Sequence, residues 1–229
     1  MPQEARSLGA RGARTGLARL PDGHWLAVSG AGPELAQSAA RRLLAEGVTA
    51  LVSWGCAAAL APTLRPGQVV IPERVLGADG SPWAVHGPWR DRLRDALAAR
   101  LPVVSGGLLE SVAIIAEPSH KQALYAQSGC LVLDMESAAV ARVAAAAGVP
   151  FLALRAVADS AAMALPPAVV RALDRRGTVR PGAFLGQLLR HPGQLLPVLQ
   201  LGLAFSAANT SLRRARELAG PGCGLGRFP

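Results

Sequence analysis

Residues 131–161, LVLDMESAAVARVAAAAGVPFLALRAVADSA, set three carboxylates, Asp134, Glu136 and Asp159, into an almost wholly apolar run. The run reads as a buried strand (CLVLDM, 130–135), a helix that is nearly all Ala and Val on one side (ESAAVARVAAAAGV, 136–149) and a second buried strand (FLALRAVAD, 151–159). Strands that stay apolar without alternating belong to a mostly parallel sheet covered on both faces. The acids then fall where strands end, the edge at which such sheets bind ligands.

The flanks repeat the pattern. WLAV (25–28) reads as a short buried strand, followed by the glycine turn SGAG (29–32) and an amphipathic helix that stops at Gly47. VTALVSWGCAAAL (48–60) is a buried strand running into a small-residue turn, and QVVIPERVL (68–76) is a further strand. A Gly/Pro-rich loop (77–89) precedes a helix with Arg on its wet face (90–101), and strand material follows at 101–115. SHKQALYAQSG (119–129) reads as a helix with Ser119 as N-cap and Gly129 as stop. Beyond Asp159 the chain is punctuated by prolines and reads as short helices, with GLGRFP (224–229) frayed at the end.

The chain has 229 residues, 51% of them hydrophobic, enough to bury a large core without staples. Its net charge of +9 is carried by arginine, Lys121 being the only lysine. Aromatics make up 4% of residues and interleave with no basic stripe, which argues against a nucleic-acid platform. The positive excess suits an anionic membrane surface or an anionic co-substrate at least as well. Cys56, Cys130 and Cys223 lie far apart without CxxC or His pairing, so neither a disulfide framework nor a metal site is expected, and a reducing cytoplasm fits. The N-terminus carries no apolar signal region, and apolar stretches break before about 18 residues, so no transmembrane helix is expected.

Each candidate residue has a plain structural reading beside a chemical one. Asp134 is an N-cap or structural bond at the strand-to-helix junction. Glu136 either rests in the first helical turn, favoured by the dipole, or faces a ligand. Asp159 either caps the segment starting at Ser160 or serves as a general acid, because so apolar a setting disfavours its ionised form. One acid and one hydroxyl-binding carboxylate are what cleavage at a sugar's anomeric carbon requires: the leaving group is protonated and the ribosyl cation is held. The amides of Ser29, Gly30, Ala31 and Gly32 are placed to face an anion or a sugar oxygen. A dinucleotide fingerprint fails there, since Leu35 stands where a third glycine is required. Cys56 has no base placed beside it by sequence, and a small buried thiol is inert.

Four motifs, SGAG (29–32), GCAAALAPTLRPGQVVIPERV (55–75), DMES (134–137) and VPFLALRAVADSA (149–161), occur in the order and spacing of the nucleoside phosphorylase and nucleosidase superfamily, which this sequence resembles over about residues 25–165. Within it the C-terminal stretch, ALPPAVVRALDRRG onward, is similar to the hopanoid-associated phosphorylase branch. The resemblance implies a three-layer αβα sandwich around a mixed, mostly parallel sheet, with the family's first strand missing ahead of Glu4. It divides the chain into a catalytic core, 1–165, and a helical C-terminal extension packed on it, 166–229.

By the same resemblance the activity is loss of adenine from an adenosine-type nucleoside, through an oxocarbenium-like transition state captured by phosphate or water. The branch makes adenosylhopane the expected substrate; a methylthioadenosine/adenosylhomocysteine nucleosidase is the alternative, and a nucleoside-binding protein without catalysis the third reading. Asp159 matches the acid at purine N7, Glu136 the ligand of the ribose hydroxyls and Met135 the residue under the sugar. Ala31 and its flanking glycines match the turn near ribose and nucleophile, and Cys56 a hydroxyl residue there. Ile115 matches a base-stacking position, with the backbone at Ala116 reading the adenine edge. Glu4, in PQEARSL, matches the acid that orients the attacking water. Ser53 stands where some members keep a phosphate-binding Arg, and Arg6 and Arg155 are the remaining phosphate or structural partners. No cofactor is implied beyond inorganic phosphate as co-substrate. A homo-oligomer is expected, in the cytoplasm or peripheral to the inner membrane, with Trp83, Trp89 and the apolar C-terminal segment available to a polycyclic lipid tail or a membrane surface.

Overall fold

The computed structural model describes residues 2–10, 15–172 and 181–224. The terminal residues 225–229, expected to fray, lie outside the described residues.

The chain enters with a short helix, α1 (Pro2–Ser7), and a two-stranded antiparallel hairpin, β1 (Gly16–Arg19) and β2 (Trp25–Val28). WLAV was expected as a buried strand of the main sheet. Instead it pairs only with β1, from Gly16↔Val28 to Arg19↔Trp25, and only Val28 is buried. Pro21, Asp22 and Gly23 between the strands are turn formers, which is why the chain folds back there. Helix α2 (Pro33–Ala45) follows, burying Ala36 and Ala40.

The main sheet holds β3 (Leu51–Ala59), β4 (Val69–Leu76), β5 (Pro82–Ala84), β6 (Val103–Glu110), β7 (Cys130–Asp134) and β8 (Phe151–Asp159) in the order β5-β4-β6-β7-β3-β8. β8 also pairs with β4, through Val69↔Ala156 and Val70↔Arg155, so β4, β6, β7, β3 and β8 close on themselves. The expected open sandwich is therefore corrected to a closed barrel of five strands, with β5 appended outside β4. Three of its pairings are parallel and two, β7 with β3 and β8 with β4, antiparallel. A sheet this narrow closes when twist brings its edge strands together and its lining is small enough. Gly106 and Gly107 let β7 lie close against β6 on both faces of the sheet: a Cβ there would stand 2.5 Å from the Leu131 Cδ1 and 2.8 Å from the Cys130 Sγ. Closure leaves β8 buried along its whole length.

Three helices connect the later strands. α3 (Gly87–Ala98) is capped by His86, whose Nδ1 accepts from the Trp89 amide at 3.2 Å. α4 (Pro118–Ser128) starts after Glu117, so Ser119 lies in its first turn rather than at the N-cap, while Gly129 ends it in the left-handed conformation (φ 64°) as expected. α5 (Ser137–Ala146) joins β7 to β8.

After β8 come α6 (Pro167–Ala172), α7 (Pro181–Arg190) and α8 (Leu195–Ala219). α8 is 25 residues long, not one of several short helices. Pro197 does not interrupt it because the first turn has no intrahelical N–H partner to lose. Leu201, Ala204, Ala208, Leu212 and Ala215 recur at helical spacing and are buried, and Ser211 Oγ donates to the Gly67 carbonyl at 2.6 Å. Leu195, Leu196, Leu199 and Leu203 are exposed. The segment Pro192–Ala219 is long and apolar enough to cross a membrane by length and composition alone, with mean hydropathy 1.3.

Trp89 and Trp83 both make contacts within the fold. Trp89 is buried and its Nε1 donates to the Cys223 carbonyl at 2.9 Å, pinning the C-terminal turn. Trp83 is half-buried with the Arg142 guanidinium 5.7 Å from its ring centre.

Candidate active site

β7 ends in Asp134, and the chain turns there into α5. Asp134 Oδ1 accepts from the amides of Glu136 and Ser137, each at 3.1 Å, which holds the turn. Its other oxygen, Oδ2, accepts from Arg155 Nε at 2.7 Å and from Ser137 Oγ at 2.5 Å. Asp134 is therefore saturated and structural. Glu136 sits at the N-cap of α5 but sends its side chain elsewhere. Its Oε1 accepts from the Gly32 amide at 2.8 Å and its Oε2 from the Met135 amide at 3.2 Å. Burial, with the Asp134 charge adding to it, pushes the Glu136 carboxyl up to about 7.

Arg155, on β8, is 2% exposed and spends its donors inside the fold. Nη2 donates to Ser53 Oγ at 2.6 Å and to Ser137 Oγ at 2.9 Å, and Nη1 to the Leu154 carbonyl at 3.1 Å. Ser53 and Arg155, both weighed as phosphate-site positions, are thus members of one buried network. Three carboxylates, Asp134, Glu136 and Glu4, act on this single guanidinium and raise its already high pKa despite burial. That corner of the site is poor in free positive charge and rich in negative charge, which suits a cationic sugar better than an anion.

Glu4 reaches the barrel from α1. The helix is pinned there because Ser7 Oγ accepts from Trp54 Nε1 at 2.9 Å and donates to the Glu4 carbonyl at 2.6 Å. Glu4 Oε1 then accepts from the Cys56 amide at 2.7 Å. Gly55 makes that approach possible, since a Cβ at this position would stand 2.6 Å from the same oxygen. The Cys56 thiol is pushed well above its usual range by burial and by the Glu4 charge, so it is no nucleophile. Gly30 and Gly32 of the SGAG turn have φ of 112° and 103°, a region that L side chains rarely adopt. Ser29 Oγ donates to the neighbouring Gly30 carbonyl at 2.8 Å.

Asp159 ends β8, and Ala58 of β3 pairs with it. On its other side Ala58 pairs with Leu133 of β7. One strand therefore separates the ends of β7 and β8, a span of about 10 Å, near the length of a nucleoside. Asp159 does not cap Ser160. Its Oδ2 is paired with Lys121 Nζ from α4, which also donates to the carbonyls of Ser160 at 3.0 Å and Met163 at 2.9 Å. Burial raises the Asp159 pKa and Lys121 opposes the rise without cancelling it.

These side chains face one open cavity of about 1350 Å³, lined by Glu4, Ser29, Gly30, Ala31, Cys56, Ile115, Met135, Glu136 and Asp159 and extending to Phe205 of α8. Gly32 and Ala116 do not line it. Gly32 contributes its amide to Glu136, and the Ala116 carbonyl accepts from the Leu165 amide at 3.0 Å, tying two loops of the wall together. Arg6 also lines the cavity. Sequence reasoning missed Gly55 and Lys121. Nothing local marks Gly55, but a single lysine in so arginine-rich a chain was a signal for Lys121.

Residues 22–188 match the phosphorylase superfamily. The chain belongs to that family. It is an enzyme of the nucleosidase or phosphorylase type. Its fold is similar to a Helicobacter pylori methylthioadenosine nucleosidase variant solved with 5′-methylthioadenosine in the active site, at a TM-score of 0.65 and 15% identity over 95% of each chain. It is equally similar in fold to the 5′-methylthioadenosine/S-adenosylhomocysteine nucleosidase of Neisseria meningitidis in complex with methylthio-immucillin-A (TM-score 0.65, 20% identity, 94% of each chain). The futalosine hydrolase of Helicobacter pylori also resembles it (TM-score 0.65, 15% identity, 95% of this chain and 94% of that one). No curated protein matches the sequence. These findings correct the narrower expectation: the related structures are nucleosidases of this kind rather than members of the hopanoid-associated branch, and the adenosylhopane substrate is set aside with it.

Proposed function

We propose that the enzyme hydrolyses the N-glycosidic bond of an adenosine-type nucleoside of the methylthioadenosine/adenosylhomocysteine class, releasing adenine. The observation that carries the reading is the division of acids around one cavity: Asp159 at the end of β8, Glu136 just past the end of β7 with β3 between them, and Glu4 held at Cys56 of β3. In this reading the base lies against Asp159 and Ile115, and the ribose over Met135 with its hydroxyls on Glu136. As the C1′–N9 bond breaks, its electron pair moves into the purine and Asp159 delivers a proton to N7. Positive charge grows on the ribose, where Glu136, Glu4 and Asp134 outnumber Arg155. Water, oriented by Glu4 beside the Cys56 amide, adds to C1′ and passes its proton to the Glu4 carboxylate.

Water is favoured over phosphate by the commitment of Arg155 to Asp134, Ser53 and Ser137. Adenine release from methylthioadenosine, followed with and without inorganic phosphate, tests this. Equal rates and free methylthioribose support hydrolysis. A rate that requires phosphate, with a 5-methylthioribose 1-phosphate product, overturns it in favour of phosphorolysis, and binding without turnover overturns the enzymatic reading.

Two subsidiary proposals rest on other features. The three cysteines are free, which suits a reducing cytoplasm. Self-association would cover the exposed leucines of α7 and α8, including Leu185, Leu189, Leu195 and Leu199. Light scattering on the eluted protein measures it directly, and a monomer would count against it.

A further inference from the structure

Lys121 is the only lysine among 24 basic residues, and it is fully buried. Burying an ammonium is costly unless every proton finds an acceptor. Here each of the three does: Asp159 Oδ2, the Ser160 carbonyl and the Met163 carbonyl. The three acceptors surround a tetrahedral nitrogen. A planar guanidinium, with its donors spread in a fork, cannot reproduce that arrangement in the same space. That is a physical reason for lysine here in a chain that uses arginine elsewhere.

We propose that Lys121 is a positioning residue for the proton transfer assigned above to Asp159, an inference that rests on that reading. The ammonium occupies Oδ2, so the acid proton belongs on Oδ1, which is left for the base. When that proton passes to the purine, a carboxylate is left in a buried site. Lys121 is the counter-charge that makes this anion tolerable, and the proton transfer correspondingly easier. The same nitrogen holds the carbonyls of Ser160 and Met163, and so the turn beyond β8. That turn is tied through Leu165 to Ala116, next to Ile115 in the cavity wall.

Among the described residues, Lys121 is the one charged group that acts on the Asp159 carboxyl. The other groups nearby are accounted for. His120 of α4 is exposed, Tyr125 lies one turn further along α4, Arg155 of β8 is bound to Asp134, and Asp134 and Glu136 stand beyond β3.

The test compares two substrates across pH: methylthioadenosine, whose leaving group needs the proton, and p-nitrophenyl β-D-ribofuranoside, whose leaving group does not. Lys121→Met is expected to lower kcat on methylthioadenosine by about tenfold or more. It also moves the alkaline limb of kcat/KM to higher pH, because a carboxyl without its cation holds its proton longer. Cleavage of the nitrophenyl riboside stays near the wild-type rate. Lys121→Arg keeps the charge, so its limb stays at the wild-type pH while kcat on methylthioadenosine falls. Should the Met variant not fold, the Arg variant carries the test by the same selectivity. Equal losses on both substrates, or no loss on methylthioadenosine, overturn the proposal. Absence of adenine release by the wild-type enzyme is a different result, and overturns the underlying reading instead.

Discussion

The carboxylate of Glu136 accepts the amide of Gly32 at 2.8 Å, joining two turns that lie 104 positions apart in the chain. The bond closes one wall of the cavity and presents Glu136 to it. Glu136 is pushed from its ordinary 4.5 up to about 7, chiefly by burial. Ribose hydroxyls donate to its ionised form, so KM for methylthioadenosine is expected to rise as pH falls below about 7. Glu136→Gln should raise KM and remove that dependence. A KM profile with no inflection between pH 5.5 and 8 would count against Glu136 as the hydroxyl ligand.

Stability should move the opposite way. A carboxyl whose folded pKa lies above its unfolded value contributes stability that is full below the unfolded value and lost as pH rises through the folded one. For Glu136 that window runs from about 4.5 to about 7. Glu136→Gln should therefore be more stable than wild type at pH 8, by up to about 3 kcal/mol, and the advantage should vanish near pH 4.5. Paired thermal melts at the two pH values measure it.

Asp159→Asn should lower kcat for adenine release by about 10²-fold or more, the usual cost of losing a positioned acid. The amide keeps a contact to Lys121 but cannot supply the proton. Steady-state kinetics on methylthioadenosine decide this, and full turnover would remove Asp159 from the acid role.

Gly55→Ala puts a Cβ where the Glu4 carboxylate now sits, 2.6 Å from Oε1. Glu4 must leave the Cys56 amide, so hydrolysis should fall about tenfold or more, as for loss of a residue that orients water. Glu4→Gln should show the same loss without the clash. Cys56→Ser should be close to wild type, because the thiol is held protonated and its amide remains. Turnover numbers of the three variants, measured together, separate the carboxylate from the thiol.

Arg155→Met leaves Asp134 buried with one charge partner gone and Ser53 without its donor. Such a break costs about 3–5 kcal/mol, and urea unfolding should show it as a lower midpoint. Asp134→Asn removes the opposite charge and should cost a comparable amount. A loss of unfolding free energy below about 1 kcal/mol would mean the network does not hold the turn between β7 and α5.

Much of the site was legible because strand ends are marked by abrupt changes of residue type. Asp134, Glu136 and Asp159 each interrupt an apolar run, and burial of that run is what perturbs Glu136 and Asp159. The strands at 51–59, 69–76, 103–110, 130–134 and 151–159 follow from the same patterning. WLAV misled because four apolar residues look alike in a hairpin and in a sheet centre, and the decisive sign was the PDG turn before it. From sequence alone α8 reads as several pieces, because Pro197 looks like a breaker wherever it stands, and only its place in the first turn makes it harmless.

Residue type and order by themselves determined that apolar strands alternate with helices and that acids stand at strand ends. Those properties depend on neighbours a few positions away. Closure of the barrel, the reach of Glu4 to Cys56 past a missing Cβ at Gly55, and the pairing of Lys121 with Asp159 were decided only by the tertiary structure. Each joins residues tens of positions apart, and each depends on the space left when the strands twist into contact. No local pattern encodes that space.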